Sequence, residues 1–152
     1  MSPPIPRLQE VRAALSAALE DFDARDRYLL ENDLNERTIS HRLAIYLQKR
    51  FPDWEVDCEY NRNRDITKSL DLPRDGISWE DTDAKTVSPD IIVHKRGPGP
   101  NLLVIEMKKV GLRGDFDYQK LTAYKAQIGY RYACFLWVRT GVDGRLEHPQ
   151  WI

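Results

Sequence analysis

From residue 8 to 22 the apolar residues Leu8, Val11, Leu15, Ala18, Leu19 and Phe22 recur at the three-and-four spacing of an amphipathic helix, after a proline-rich start. The charged stretch DARDRYLLEND follows, and Asn35 then offers an N-cap for a second helix over residues 36–50 with the stripe Ile39, Leu43, Tyr46 and Leu47. The period changes in WEVDCEY, residues 54–60, where Trp54, Val56, Cys58 and Tyr60 alternate with Glu55, Asp57 and Glu59 as in a half-exposed strand at or near a sheet edge. Residues 61–87 carry no clear period and form a long polar insertion. Residues 90–95 and 101–108 are rich in Ile, Val and Leu, and the turn formers RGPGPN between them predict a β-hairpin. A third helix is predicted over residues 115–127 with the stripe Asp117, Lys120, Leu121, Tyr124 and Ile128, then an apolar strand over 130–140 and a short tail that adds one more strand. This order predicts an α/β fold, a mixed central sheet of about four to five strands flanked by helices.

Length and composition narrow the class. At 152 residues the chain reads as a single domain, 1–152, able to bury a full core. With 41% hydrophobic and 31% charged residues and a net charge of −1, no global basic excess advertises nucleic acid, so such binding has to come from a local patch. The N-terminus lacks the apolar core of a signal peptide and no run approaches membrane-spanning length, which reads as a soluble, cytoplasmic protein. Cys58 and Cys134 lie far apart inside strands, without the paired spacing of a zinc or redox site, and read as buried free thiols.

The hairpin carries charge where a core strand should carry none. If it closes symmetrically about Pro98, Asp90 falls opposite Glu106, Ile92 opposite Val104 and Ser88 opposite Lys108. Alternation then gathers Asp90, Glu106 and Lys108 at one end, with Ile91, Val93, Leu103 and Ile105 on one face and Ile92, Leu102 and Val104 on the other. Two facing carboxylates repel unless a proton or a cation sits between them. Glu36 lies at the N-terminal end of the second helix's stripe, either as a first-turn acid favoured by the helix dipole or as a carboxylate turned toward a site. His41, off that stripe, reads as a surface residue. Asp117 and Lys120, three apart, form an intrahelical ion pair or belong to the same site. In the insertion, Arg62, Arg64, Lys68 and Arg74 precede Asp75, Glu80, Asp81 and Asp83, a charge run that reads as a solvated loop or as phosphate contacts.

Competing motifs fall short. GPGPNL lacks the third glycine of a dinucleotide-binding turn, and its prolines lack the N–H groups a phosphate cradle requires. The acids at Asp81 and Asp83 lack the glycine and final glutamate of an EF-hand, and Ser40 beside His41 has no nucleophile elbow.

Pro89-Asp90, Glu106-Met107-Lys108 sixteen residues after Asp90, the upstream helical Glu36 and the downstream Asp117-x-x-Lys120-Leu121 together resemble the PD-(D/E)XK nuclease superfamily, also called restriction-endonuclease-like. The resemblance spans about residues 35–140 and rests on the joint placement of two short motifs on the arms of one hairpin, after a helix. It departs in two respects: the Gln and Tyr four apart that mark one subgroup are here Gln119 and Ala123, and the insertion 61–87 has a role that the family pattern does not supply. The resemblance implies a restriction-endonuclease-like core and a Mg²⁺- or Mn²⁺-dependent nuclease that hydrolyses phosphodiester bonds of DNA or RNA. It implies Asp90, Glu106 and the Met107 carbonyl as metal ligands, with Glu36 completing the shell directly or through water. Lys108 would act on the attacking water, Lys120 with Arg62 or Arg64 would contact phosphate, and Asp117 would orient Lys120. A homodimer or protein partner would supply the two sites that cutting both strands takes. The alternative is a non-catalytic nucleic-acid-binding or protein-interaction module that retains the nuclease fold.

Overall fold

The computed structural model describes residues 4–59, 89–147 and 149–152. Two helices, α1 (Leu8–Glu31) and α2 (Glu36–Arg50), precede the edge strand β1 (Glu55–Cys58). The hairpin β2 (Ile91–His94) and β3 (Asn101–Lys109) follows, then α3 (Asp115–Ala123), β4 (Tyr132–Arg139) and two short strands, β5 (Arg145–Leu146) and β6 (Gln150–Trp151). The sheet has six strands in the order β1-β2-β3-β4-β5, with β6 also on β4, one or two more than expected because the tail contributes two. It is mixed: β3 and β4, joined through α3, are parallel and every other pair is antiparallel.

Each face of the sheet is covered by the helices whose stripes fit it. Val11, Leu15, Ala18 and Phe22 of α1 and Ile39, Leu43 and Leu47 of α2 bury against Ile91, Val93, Leu103, Ile105 and Met107. Leu121 of α3 and Tyr124 bury against Ile92, Val104 and Phe135 on the opposite face. Each fully buried Leu, Ile or Phe contributes about 1.5–3 kcal/mol, so the period-two alternation of the hairpin, read on both faces, holds the three layers together. Among the described residues no helix is long and apolar enough to cross a membrane.

Four expectations are corrected. The first helix runs past residue 22 to Glu31, because Leu30 is buried and α2 holds the polar stretch by its side chains. Asp26, at a non-helical φ of −123°, accepts from Arg42 Nε at 2.9 Å and from the Tyr46 hydroxyl. Leu102 does not share a face with Ile92 and Val104. A bulge pairs His94 with Asn101, so Leu102 is the extra residue on β3 and joins the α1/α2 cluster. The third helix is α-helical only to Ala123; a wide π turn over Tyr124–Ile128 closes it, ending at Gly129, whose φ of 80° stops the helix. The strand predicted over 54–60 is confined to Glu55–Cys58 within the described residues.

Candidate active site

The hairpin register at the charged end is the symmetric one: Ile91 pairs with Ile105 and Ile92 with Val104, which sets Asp90 beside Glu106. The carboxyls of Asp90 and Glu106 lie within hydrogen-bond reach of each other. The Met107 N–H donates to Asp90 Oδ2 at 2.7 Å. In an extended strand a residue's N–H and C=O point to the same side, so the Met107 carbonyl also faces the side on which Asp90 lies. Ser88, set opposite Lys108 in that register, lies outside the described residues.

Glu106 is only 1% exposed, because α3 docks over it. That docking is close: Gly114 caps α3 where an added Cβ would stand 3.1 Å from both Phe135 Cζ and Trp137 Cη2. The first turns of α3 bring in Asp117 and Lys120. Lys120 Nζ stands 3.4 Å from Glu106 Oε2 and 3.3 Å from Asp117 Oδ1, with the Phe116 ring centroid 5.3 Å away. Lys108 Nζ approaches Asp117 Oδ2 at 3.7 Å, from a side chain one-third exposed.

Glu36 is the first-turn acid of α2, and its side chain turns toward the end of β3. The N-cap bond of Asn35 Oδ1 from the Thr38 N–H, 2.8 Å, starts α2 so that Glu36 reaches the end of β3. There the Lys109 N–H donates to Glu36 Oε1 at 3.4 Å, and Lys109 Nζ pairs with Asp33 at 2.7 Å.

The electrostatics follow from the crowding. Burial pushes the Glu106 carboxyl well above the usual carboxylate range, and the Asp90 charge pushes it further. Burial also raises Asp90 against the opposing Met107 N–H, and raises Glu36 against the Lys109 N–H. Burial works against the Lys120 ammonium, yet the charges of Glu106, Asp117 and Asp90 outweigh it and keep the group protonated. Glu106 Oε1 and Asp117 Oδ2 are buried with no hydrogen-bond partner.

Asp90, Glu106, Lys108, Glu36, Asp117 and Lys120 are thus drawn to one end of the sheet, while Arg62 and Arg64 and the rest of the insertion 61–87 lie outside the described residues. His41 is exposed, as expected. The thiols are free: Cys134 is buried, Cys58 only partly, and burial pushes the Cys58 thiol up to about 11. Two features escape a reading of the sequence. Lys120 has a second partner, Glu106, on another element. Tyr124, one turn after Lys120, is fully buried beneath the cluster. The stripe that contains both residues was the available signal.

On the same face, one strand over, Trp137 pairs across from Lys108. It helps to line an open cavity of about 380 Å³ with Val110, Gly111, Arg139, Glu147 and Gln150. Among the described residues no three His, Cys, Asp or Glu side chains stand close enough together to enclose a metal ion as they are. Asp117, the third acid of the cluster, is engaged by Lys108 and Lys120 instead.

No family model, curated protein or solved structure matches the chain.

Proposed function

We propose that this chain is a metal-dependent nuclease of the PD-(D/E)XK type, hydrolysing phosphodiester bonds of DNA, with RNA open to the same chemistry. The observation that carries the reading is the contact between the half-buried Asp90 carboxyl and the buried Glu106 carboxyl. Around it, four carboxyl groups (Glu36, Asp90, Glu106, Asp117) face two ammonium groups (Lys108, Lys120), an excess of acid that a proton or a divalent cation would relieve.

The donor set fits Mg²⁺ or Mn²⁺. Such ions take hard oxygen ligands, use one or two carboxylates and fill the remaining positions with water and substrate phosphate. Asp90 and Glu106 supply those carboxylates, Glu106 Oε1 is an orphaned buried oxygen, and the Met107 carbonyl faces the same side. Glu36, which accepts from the Lys109 N–H at the end of β3, would complete the shell, directly or through water. A bound divalent ion acidifies a coordinated water and neutralises charge on the phosphoryl oxygens.

Lys108, one-third exposed beside the carboxylates, is the residue able to meet both solvent and substrate. Its ammonium orients the attacking water and stabilises the charge that builds on the phosphoryl oxygens. Asp117 holds Lys108 and Lys120 through its two oxygens and positions both. The open cavity beside Trp137 gives the nucleotide next to the scissile bond an aromatic wall.

A second reading, a binding module that retains the fold without turnover, is favoured by the net charge of −1, since a nuclease that binds DNA alone is usually more basic. One experiment separates the two. Plasmid, linear duplex, single-stranded DNA and RNA are incubated with the protein in Mg²⁺, Mn²⁺ or EDTA. Cleavage that needs the metal and vanishes in Glu106→Ala is the expected result. No cleavage of any substrate, together with no metal-induced rise in melting temperature, would sink the nuclease reading.

A further inference from the structure

Lys120 is the least expected member of the cluster. A lysine three residues after an aspartate on a helix normally makes an exposed pair of little energetic weight. This one is 11% exposed and reaches off its helix to Glu106. Its ammonium is bracketed by two buried carboxylates, Glu106 Oε2 at 3.4 Å and Asp117 Oδ1 at 3.3 Å. Glu106 Oε1 has no hydrogen-bond partner, and Asp117 Oδ2 has only the Lys108 ammonium at 3.7 Å, beyond hydrogen-bond distance, on residues 1% and 4% exposed.

Enzymes that use two metal ions hold them about 3.5–4 Å apart. A carboxylate with one oxygen toward each ion suits such a bridge, and Glu106 has that disposition. One oxygen is given to Lys120, while the other is free on a carboxyl in contact with Asp90. Asp117 would be the outer ligand of the second ion, and its Oδ1 is taken by Lys120.

We propose that Lys120 stands as a permanent cation in the place of a second divalent ion and limits the protein to one divalent ion per chain. The inference rests on the metal-site reading above and adds the stoichiometry. Lys120 neutralises part of the Glu106 and Asp117 charge whether or not a divalent ion is present, and leaves the Asp90 side of Glu106 to a divalent ion. Replacing it with a small neutral side chain opens space between two buried carboxylates.

The test is Mn²⁺ titration of the wild type, Lys120→Ala and Lys120→Arg, followed by calorimetry and by electron paramagnetic resonance, with melting temperatures in EDTA and in Mn²⁺. The expected stoichiometry is one in the wild type and in Lys120→Arg. In Lys120→Ala it rises to two, with spin-coupled lines from ions held close together and a melting temperature that depends more steeply on Mn²⁺. If Lys120→Ala folds only in the presence of metal, its stoichiometry is read on the metal-refolded protein after removing excess ion. A stoichiometry of one in Lys120→Ala overturns the proposal and leaves the nuclease reading intact. Two ions in the wild type overturn it as well. No binding by the wild type overturns both the proposal and the metal-dependent reading.

Discussion

The two ends of the β2/β3 hairpin both hold acids at least half-buried, and they balance the charge differently. Toward the turn, Asp57 of β1 lies against His94 Nε2 at 2.7 Å and takes a two-pronged bond from Arg96 at 2.6 and 3.0 Å. Burial alone would raise that carboxyl, but the Arg96 and His94 bonds outweigh it and hold it below the usual range. At the other end Asp90 and Glu106 crowd each other, both are raised, and Glu106 keeps an oxygen with no donor. The first arrangement is what a buried ion cluster looks like when its purpose is cohesion: every charge finds a partner of opposite sign. In the second, the two facing carboxyls cannot both ionise without repulsion, which a proton or an added cation relieves.

That contrast predicts a division of effects between the two ends. Lys108→Ala should lower the cleavage rate by about 10²–10⁴-fold, the usual range for losing a group that acts on the attacking water, with little change in denaturant midpoint. A large loss of stability with retained turnover per folded molecule would contradict the assignment. Asp57→Ala should behave in the opposite way. His94, 1% exposed, and Arg96 lose their carboxylate partner, at a cost of about 1–3 kcal/mol in urea unfolding. Cleavage by the remaining folded protein should be unchanged, and a catalytic defect there would erase the distinction.

The smallest effect is in pH, and its sign differs between the two ends. Glu106 is raised above its usual 4.5, so the metal-free native state holds a proton that the unfolded chain has released. Its contribution to stability is therefore fully present below pH 4.5 and declines as pH rises from there through the folded value, with Asp90 and Glu36 adding in the same direction. Asp57 is depressed, so its contribution is present above 3.8 and is lost as pH falls through its folded value. Urea unfolding in EDTA across this range should show the decline from pH 4.5 upward. Glu106→Gln or saturating Mg²⁺ should flatten it, and an unchanged slope in Glu106→Gln would assign the effect elsewhere.

The pairing of Asp90 with Glu106 was readable from the sequence because turn formers fix the hairpin's centre and alternation fixes its faces. Leu102 was not readable, since its face depends on a bulge at Val93/His94, close to the turn, and not on its own polarity. The end of α1 escaped because DARDRYLLEND is polar to any periodicity test. Its hold on α2 is made by Asp26, Arg42 and Tyr46, a hydrogen-bonded contact with no hydrophobic signature. Lys120 was visible as a partner of Asp117, but its contact with Glu106 exists only once α3 lies across β3 and β4. A pair within one helix follows from spacing; a pair between elements requires the tertiary fold.

One backbone contact has a consequence for how such a protein can change over generations. The Glu59 N–H donates to the Asp90 carbonyl at 3.2 Å, so the chain leaves the sheet and returns to it at the same place, beside the carboxylates. Whatever lies between these two anchors can be lengthened, shortened or exchanged without altering the strand pairing on either side. The entropic cost is slight, about 0.6 kcal/mol for each doubling of length. The Glu59–Asp90 contact thereby holds the strand ends beside Glu106 and Lys108 in register, whatever the length of chain between the two anchors.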